Sequence, residues 1–397
     1  MHTSTGPVAL SREARPARAR STAALAVLAL AAAGCAGAQK PATANAFEWP
    51  LPPDRPRVRH VRSFAGSADF DTSGWGRFMR AIAGKRSGLA VQNPTALALS
   101  PDDRYLFVAC PNRSTVMVFD RQAQSVSEMR FDEQYIPATP YGLAVDADGT
   151  IFVADESRGV VRGYELSGKF KVTVGKGLLE RPVGIAVDRK RRILYVIDGG
   201  NRNSSRQVLD AYATSDGRHL RTIGTSGYGP GQFLFPTNVA VAPDGNVYVA
   251  DTLNSRIQVF DPEGTLVTMF GFLGDRPGAF GKPKGLAFDA FGNLHVVDSQ
   301  LSYVQVFNAK QMPLMAYGGP GNHPALMALP NGIAIDSKNE IFVADFIGNQ
   351  VKQYQLFNTT AEDSFGAAQS PNVQPQPATG ASPAAGASSV PAAAPRP

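Results

Sequence analysis

The chain of 397 residues is 43% hydrophobic and 18% charged, enough to bury a sizeable core. Half of its formal charge of +6 resides in the first 34 residues, where Arg12, Arg15, Arg18 and Arg20 face Glu13 alone; without them 35 basic residues stand against 32 acidic ones. That balance is too small to argue for a nucleic-acid partner, and the basic run Arg189–Arg192 reads as a solvated turn rather than a phosphate site.

The chain opens with an arginine-bearing head, then the apolar run Ser21–Gly34 and Cys35. The run is too short to span a bilayer comfortably and ends in small residues, as export signals do. The motif "AAGC" at Ala32–Cys35 resembles the lipobox of bacterial lipoproteins, with Ala32 where leucine is commonest. The resemblance implies that residues 1–34 are removed and that Cys35 is lipidated and becomes the N-terminus. Each buried CH₂ then contributes about 0.8 kcal/mol to a membrane anchor. Ala36 stands where an aspartate would retain such lipoproteins in the inner membrane, so the outer membrane is favoured. The other reading is cleavage after "AGA" (Ala36–Ala38), giving a soluble periplasmic or secreted protein. Residues 35–55, rich in Pro and Ala, are expected to be a linker. With Cys35 lipidated, Cys110 stands alone and reads as a small buried hydrophobe.

Six related blocks follow, starting at Pro94, Pro140, Pro182, Pro236, Pro283 and Pro330, at a mean period of about 47 residues. Each holds two short alternating segments rich in Val, Ile, Tyr and Phe, separated by turn formers such as Asp148–Gly149 and Asp244–Gly245. Such pairs are antiparallel hairpins. A polar turn leads to a third strand ending in Phe119, Tyr164, Tyr212, Phe260, Phe307 or Tyr354, and a fourth strand follows, as in Gly264–Gly271. Four strands in each of six units predict an all-β, six-bladed β-propeller over residues 56–359. The stretch "ADTLNSRIQVFDPEG" (Ala250–Gly264) resembles the NHL repeat, and the resemblance extends over about residues 56–357. The first block departs from the pattern, with Cys110 where the others have aspartate.

The sixth block lacks a fourth strand, and the segment Arg57–Gly66 matches the missing pattern. It is expected to pair with the last blade and close the ring, which removes an exposed sheet edge. Asp155, Asp198, Asp251, Asp298 and Asp345 end the second strands, where a carboxylate can accept backbone N–H bonds of a turn. Gly142, Gly184, Gly285 and Gly332 fall early in the innermost strands, where crowding around a central channel favours a missing side chain. Residues 360–397, almost without large apolar side chains, are expected to be disordered.

Some propellers resembling this one are enzymes. Amidating lyases hold zinc with several histidines, but His295 occupies a core aromatic position, His60 lies in the closing strand and His323 in a loop. Lactonase-like propellers hold calcium with acids and asparagine; here Asp146, Asp188, Asp289 and Asp336 end the first strands, at hairpin turns. Neither a nucleophile elbow nor a phosphate loop is present. No catalytic residue, metal ligand or cofactor is therefore assigned, and a binding scaffold leads, with the metal-dependent lactonase-like or amidating-lyase-like enzyme as the alternative. In a propeller the links between blades and the turns between second and third strands share one face, called here the link face. Two departures from the repeat fall there. The link Ser67–Asn93 is unusually long and carries Trp75, Arg77, Phe78, Met79 and Arg80, residue types that dominate interface energetics. The turn Gly199–Arg206, with Asn201, Arg202, Asn203 and Arg206, is also lengthened. Both are candidate contacts for an envelope protein partner; the alternative is that the aromatics plug the channel and the second turn is loop drift.

Overall fold

The computed structural model describes residues 47–51, 53–70, 88–201, 205–321 and 323–360. The export segment with Cys35, the middle of the long link with Trp75, Arg77, Phe78, Met79 and Arg80, the turn residues Arg202 and Asn203, and the tail from residue 361 lie outside them.

Among the described residues, six antiparallel sheets form six blades of four strands, with no α-helix. The fourth blade shows the plan: Pro236–Val241 innermost, then Val247–Asp251, Arg256–Phe260 and Leu266–Phe270 outermost. Alternation of side chains across each strand gives both faces of every inner sheet to neighbouring blades. The third-strand aromatics carry these contacts. Phe307 of the fifth blade packs with Ile257 and Tyr248 of the fourth, and Phe119 of the first packs with Phe342 and Val351 of the sixth. Tyr164, Tyr212, Phe260 and Tyr354 repeat the arrangement at the other interfaces, all at most 2% exposed. Burying each such ring contributes about 1.5–3 kcal/mol, so the core is six equal inter-blade layers rather than one centre.

The closing strand forms as expected. Val58–Phe64 pairs antiparallel with Gln350–Leu356, from Val58 opposite Leu356 to Phe64 opposite Val351. The chain just before it corrects one expectation, because the linker does not extend to residue 55 without structure. Glu48–Trp49 adds a fifth strand to the last blade, pairing with Val58 and Arg59. Trp49 is buried against Tyr354, and the Phe47 ring lies 4.0 Å from that of His323. Two aromatics in a Pro/Ala-rich stretch supply the apolar surface that such composition otherwise lacks.

The innermost glycines sit where blades crowd the axis. A Cβ at Gly142 would lie 2.2 Å from the Val183 carbonyl oxygen, and one at Gly285 would lie 2.4 Å from that of Asn331. Each glycine thus lets its strand approach the backbone of the following blade.

The link face as candidate functional site

The link face is built on the aspartates that end the second strands. Asp155 accepts the N–H groups of Ala138 and Thr139, and Asp198 those of Glu180 and Arg181. Asp298 accepts those of Gly281 and Lys282, together with Gln300 and Leu301 in its own turn. Each carboxylate therefore clamps the incoming link to the turn between second and third strands. A basic side chain completes most clamps: Arg162, Arg206, Arg256 and Lys352 lie 3.3, 2.9, 2.8 and 3.7 Å from Asp155, Asp198, Asp251 and Asp345.

The motif Asn254–Ser255–Arg256 is a tie of the same kind. Asn254 donates to Asp251 and to the Gly227 carbonyl, and Arg256 donates to the carbonyls of Gly229 and Gln232. Ser255 adopts a left-handed backbone (φ 50°) and donates its hydroxyl to Gly281. In the first blade the clamp position is Cys110, whose buried thiol is pushed up to about 11 by desolvation, a structural rather than reactive cysteine.

Between these clamps the face exposes apolar side chains among charged ones. Ile136, Leu178, Tyr228, Phe235, Leu253, Phe272, Leu273, Leu329 and Ile347 are exposed in links and turns, Tyr228 and Leu273 at about three-quarters (75% and 74%). Exposed apolar groups gathered on one face mark an interaction surface. Their only signal in the sequence is a bulky residue beside a link's terminal proline or glycine, without periodicity.

Of the residues singled out by sequence, the structure describes Asn201 and Arg206. The Asn201 N–H donates to Glu180, 3.1 Å away, and Arg206 is held between Asp198 and Asp210. Arg206 therefore supports the turn.

A central channel of about 670 Å³ runs along the axis, walled by small residues such as Ala98, Gly142, Ala144, Gly184, Ala240 and Ala334. At its hairpin end Arg189 reaches across three blades, donating to the carbonyls of Val145 and Leu99 at 3.0 and 3.2 Å. At its link end the residue following an inner-strand proline contributes one position from five of the blades: Thr95, Tyr141, Val183, Thr237 and Asn331. These five positions contain no carboxylate; the acids lining the channel, Asp102, Asp103 and Asp188, lie towards its hairpin end.

The acids ending the first strands bond to their own hairpins: Asp188 accepts Lys190 and Arg191, Asp289 accepts Phe291 and Asn293, and Asp336 accepts Lys338 and Glu340. Asp146 likewise caps Ala147 and faces Arg192 at 3.3 Å. His295 is fully buried between Tyr317, at 3.1 Å, and Asp289, at 3.4 Å. Among the described residues, no three His, Cys, Asp or Glu side chains come together as a ligand set.

The NHL repeat model matches residues 233–260, the segment holding the Asp251 clamp and the Asn254–Arg256 tie. That segment belongs to one of six blades closed in a ring. The chain is an NHL-repeat β-propeller. NHL repeat-containing protein 2 of Gallus gallus is 30% identical to the propeller over 166 residues, covering 34% of this chain and 22% of that protein. The NHL propeller thus matches about a fifth of that relative's length. Among solved structures, a protein of unknown function from Bacteroides thetaiotaomicron superposes with a TM-score of 0.54 at 15% identity, over 75% of each chain. A gluconolactonase from Xanthomonas campestris superposes with a TM-score of 0.53 at 17% identity, over 76% of this chain and 99% of its own. At these identities the likeness to the NHL propeller is one of fold alone.

Proposed function

We propose that the NHL propeller is a non-catalytic binding scaffold, anchored in the cell envelope by lipid on Cys35, whose link face contacts a protein partner. The observation carrying this reading is the set of exposed apolar side chains on loops that the aspartate clamps hold in place. Rigid loops lose little conformational entropy on association, so apolar contact there is retained as affinity. The acids that line the channel, Asp102, Asp103 and Asp188, are engaged by backbone groups of the hairpins, which favours the scaffold over the lactonase-like alternative.

Double replacement of Trp75 and Phe78 by Ala is expected to weaken partner capture at least about tenfold, equivalent to roughly 1.4 kcal/mol, with the β-rich circular dichroism spectrum intact. Unfolding of the double variant would show instead that those aromatics are core. Capture surviving intact, with folding preserved, would remove the long link from the interface. Anchoring has its own readout. Cys35→Ala should move the protein from the membrane fraction to the soluble one on ultracentrifugation; a soluble wild type with Gln39 as its N-terminus would refute the lipid anchor.

A further inference from the structure

We propose that the link end of the central channel binds an uncharged, hydroxyl-rich molecule of monosaccharide size, held by Tyr141 and Asn331 on one side and Asn238 on the other. This goes beyond the link-face reading, since it needs the channel and none of the exposed loops. Pro140, Pro236 and Pro330 pair with the clamp residues Asp155, Asp251 and Asp345, so the residues just after them line the channel where it opens between the links.

Two polar groups face one another there. On the first side, Gly332 of the sixth blade packs so closely on the first that a Cβ would meet the Thr95 carbonyl oxygen at 2.7 Å. The Thr95 hydroxyl donates to the Tyr141 carbonyl at 2.8 Å, and the Tyr141 hydroxyl reaches back over the first blade to hydrogen-bond the Asn331 carboxamide. Asn331 is 8% exposed, yet Tyr141 is its one side-chain partner among the described residues. Buried carboxamides normally fill more of their hydrogen-bonding capacity than that. On the opposite side stands the fourth blade, with Asn238 where the others have Ala96 or a glycine. Its carboxamide oxygen accepts the Val239 N–H at 2.8 Å, and its amide N–H groups have no acceptor among the described residues. The ring does not require a side chain at that position, because five blades close without one larger than alanine.

The chemistry of the lining selects the ligand. The channel's volume of about 670 Å³ falls within the ~300–1,000 Å³ of small-molecule sites. Below the mouth the wall is a ring of alanines, one from each inner strand, which suits the C–H faces of a compact ring. Charged lining residues, Asp102–Asp103 and Asp188–Arg191, all lie at the hairpin end. The charges acting on Tyr141, Glu156 and Arg181, pair with one another at 2.9 Å. An ionic ligand would therefore lose its hydration at the mouth without gaining a counter-charge. A purely apolar ligand would strip water from Asn238 and Asn331 and leave them unpaired. A neutral polyol avoids both costs.

The test titrates the full chain with glucose, galactose and N-acetylglucosamine, followed by saturation-transfer NMR. At least one sugar should bind, with its ring protons carrying the saturation. Asn238→Ala, which installs the residue the first blade already has, should keep its circular dichroism spectrum and lose at least about tenfold in affinity. Tyr141→Phe, which removes one oxygen and keeps the ring, should also weaken binding. Glucuronate should bind more weakly than glucose. Leu273→Asp, on an exposed loop, should leave sugar binding unchanged, which separates failure of the sugar site from failure of the protein interface. No binding of any of the three sugars, or affinity unchanged in both channel variants, would overturn the proposal. Tighter binding of glucuronate would give the mouth to anions, and binding of N-acetylglycinamide but of no sugar would give it to peptide; either result removes the sugar site.

Discussion

Deletion of residues 47–65 is expected to abolish cooperative folding of the ring. The lost strand supplies six registered pairs with Gln350–Leu356, worth about 0.5–1.5 kcal/mol net per hydrogen bond. It also supplies Val58 and Phe64, at 0% and 2% exposure, which belong to two different inter-blade layers. Burial of those two side chains and Trp49 contributes about 1.5–3 kcal/mol each. Together these terms rival the ~5–15 kcal/mol that keeps an ordinary domain folded. Urea denaturation followed by circular dichroism should lose its single sigmoid. Light scattering should show association through the uncovered edge at Gln350–Leu356. A monomeric deletion variant with an unchanged transition would mean that the ring holds without its closing strand.

The second large effect is expected at the axis. Gly142→Val places a branched side chain where even a Cβ meets the Val183 carbonyl oxygen at 2.2 Å, and that oxygen is backbone. Relief requires separating two blades, so a loss of about 3 kcal/mol or more is expected. Gly149→Ala is the matched control: its Cβ meets nothing within 4 Å, and its φ of +81° costs about 1–2 kcal/mol. Chemical denaturation of both variants should preserve that order. The reverse order would show that the blades can part at the axis and that turn geometry is the tighter constraint. Asn238, the fourth blade's counterpart of Gly142, fits because its amide turns back to accept the Val239 N–H.

The repeats made most of the fold legible, because each strand is specified by alternation and each turn by Asp, Asn or Gly. The third-strand aromatics and clamp aspartates kept one offset in nearly every block, so their shared role could be read before any contact was known. The partner of each aspartate could not, because the clamped N–H groups lie 16–17 residues upstream, in links of varying length. Trp49 was hidden in a composition that reads as linker, although two aromatics are enough to extend a sheet. Arg206 falls in a lengthened turn and reads as partner-facing; that its guanidinium also bonds Asp198 and Asp210 has no signal in the sequence. The exposed apolar side chains of the link face had no period to reveal them.

The closing strand also sets an order in time. Val58–Phe64 is made early, but its partner Gln350–Leu356 comes 286 residues later, counting from Phe64 to Gln350. At synthesis rates of about 5–20 residues per second, the first strand waits roughly 15–60 s for the last. Blades one to five can assemble side by side during that interval, while the two layers containing Val58 and Phe64 stay incomplete. The final blade therefore commits the molecule: until it arrives the chain is an open arc, and slow or interrupted synthesis prolongs the stage at which that arc is exposed.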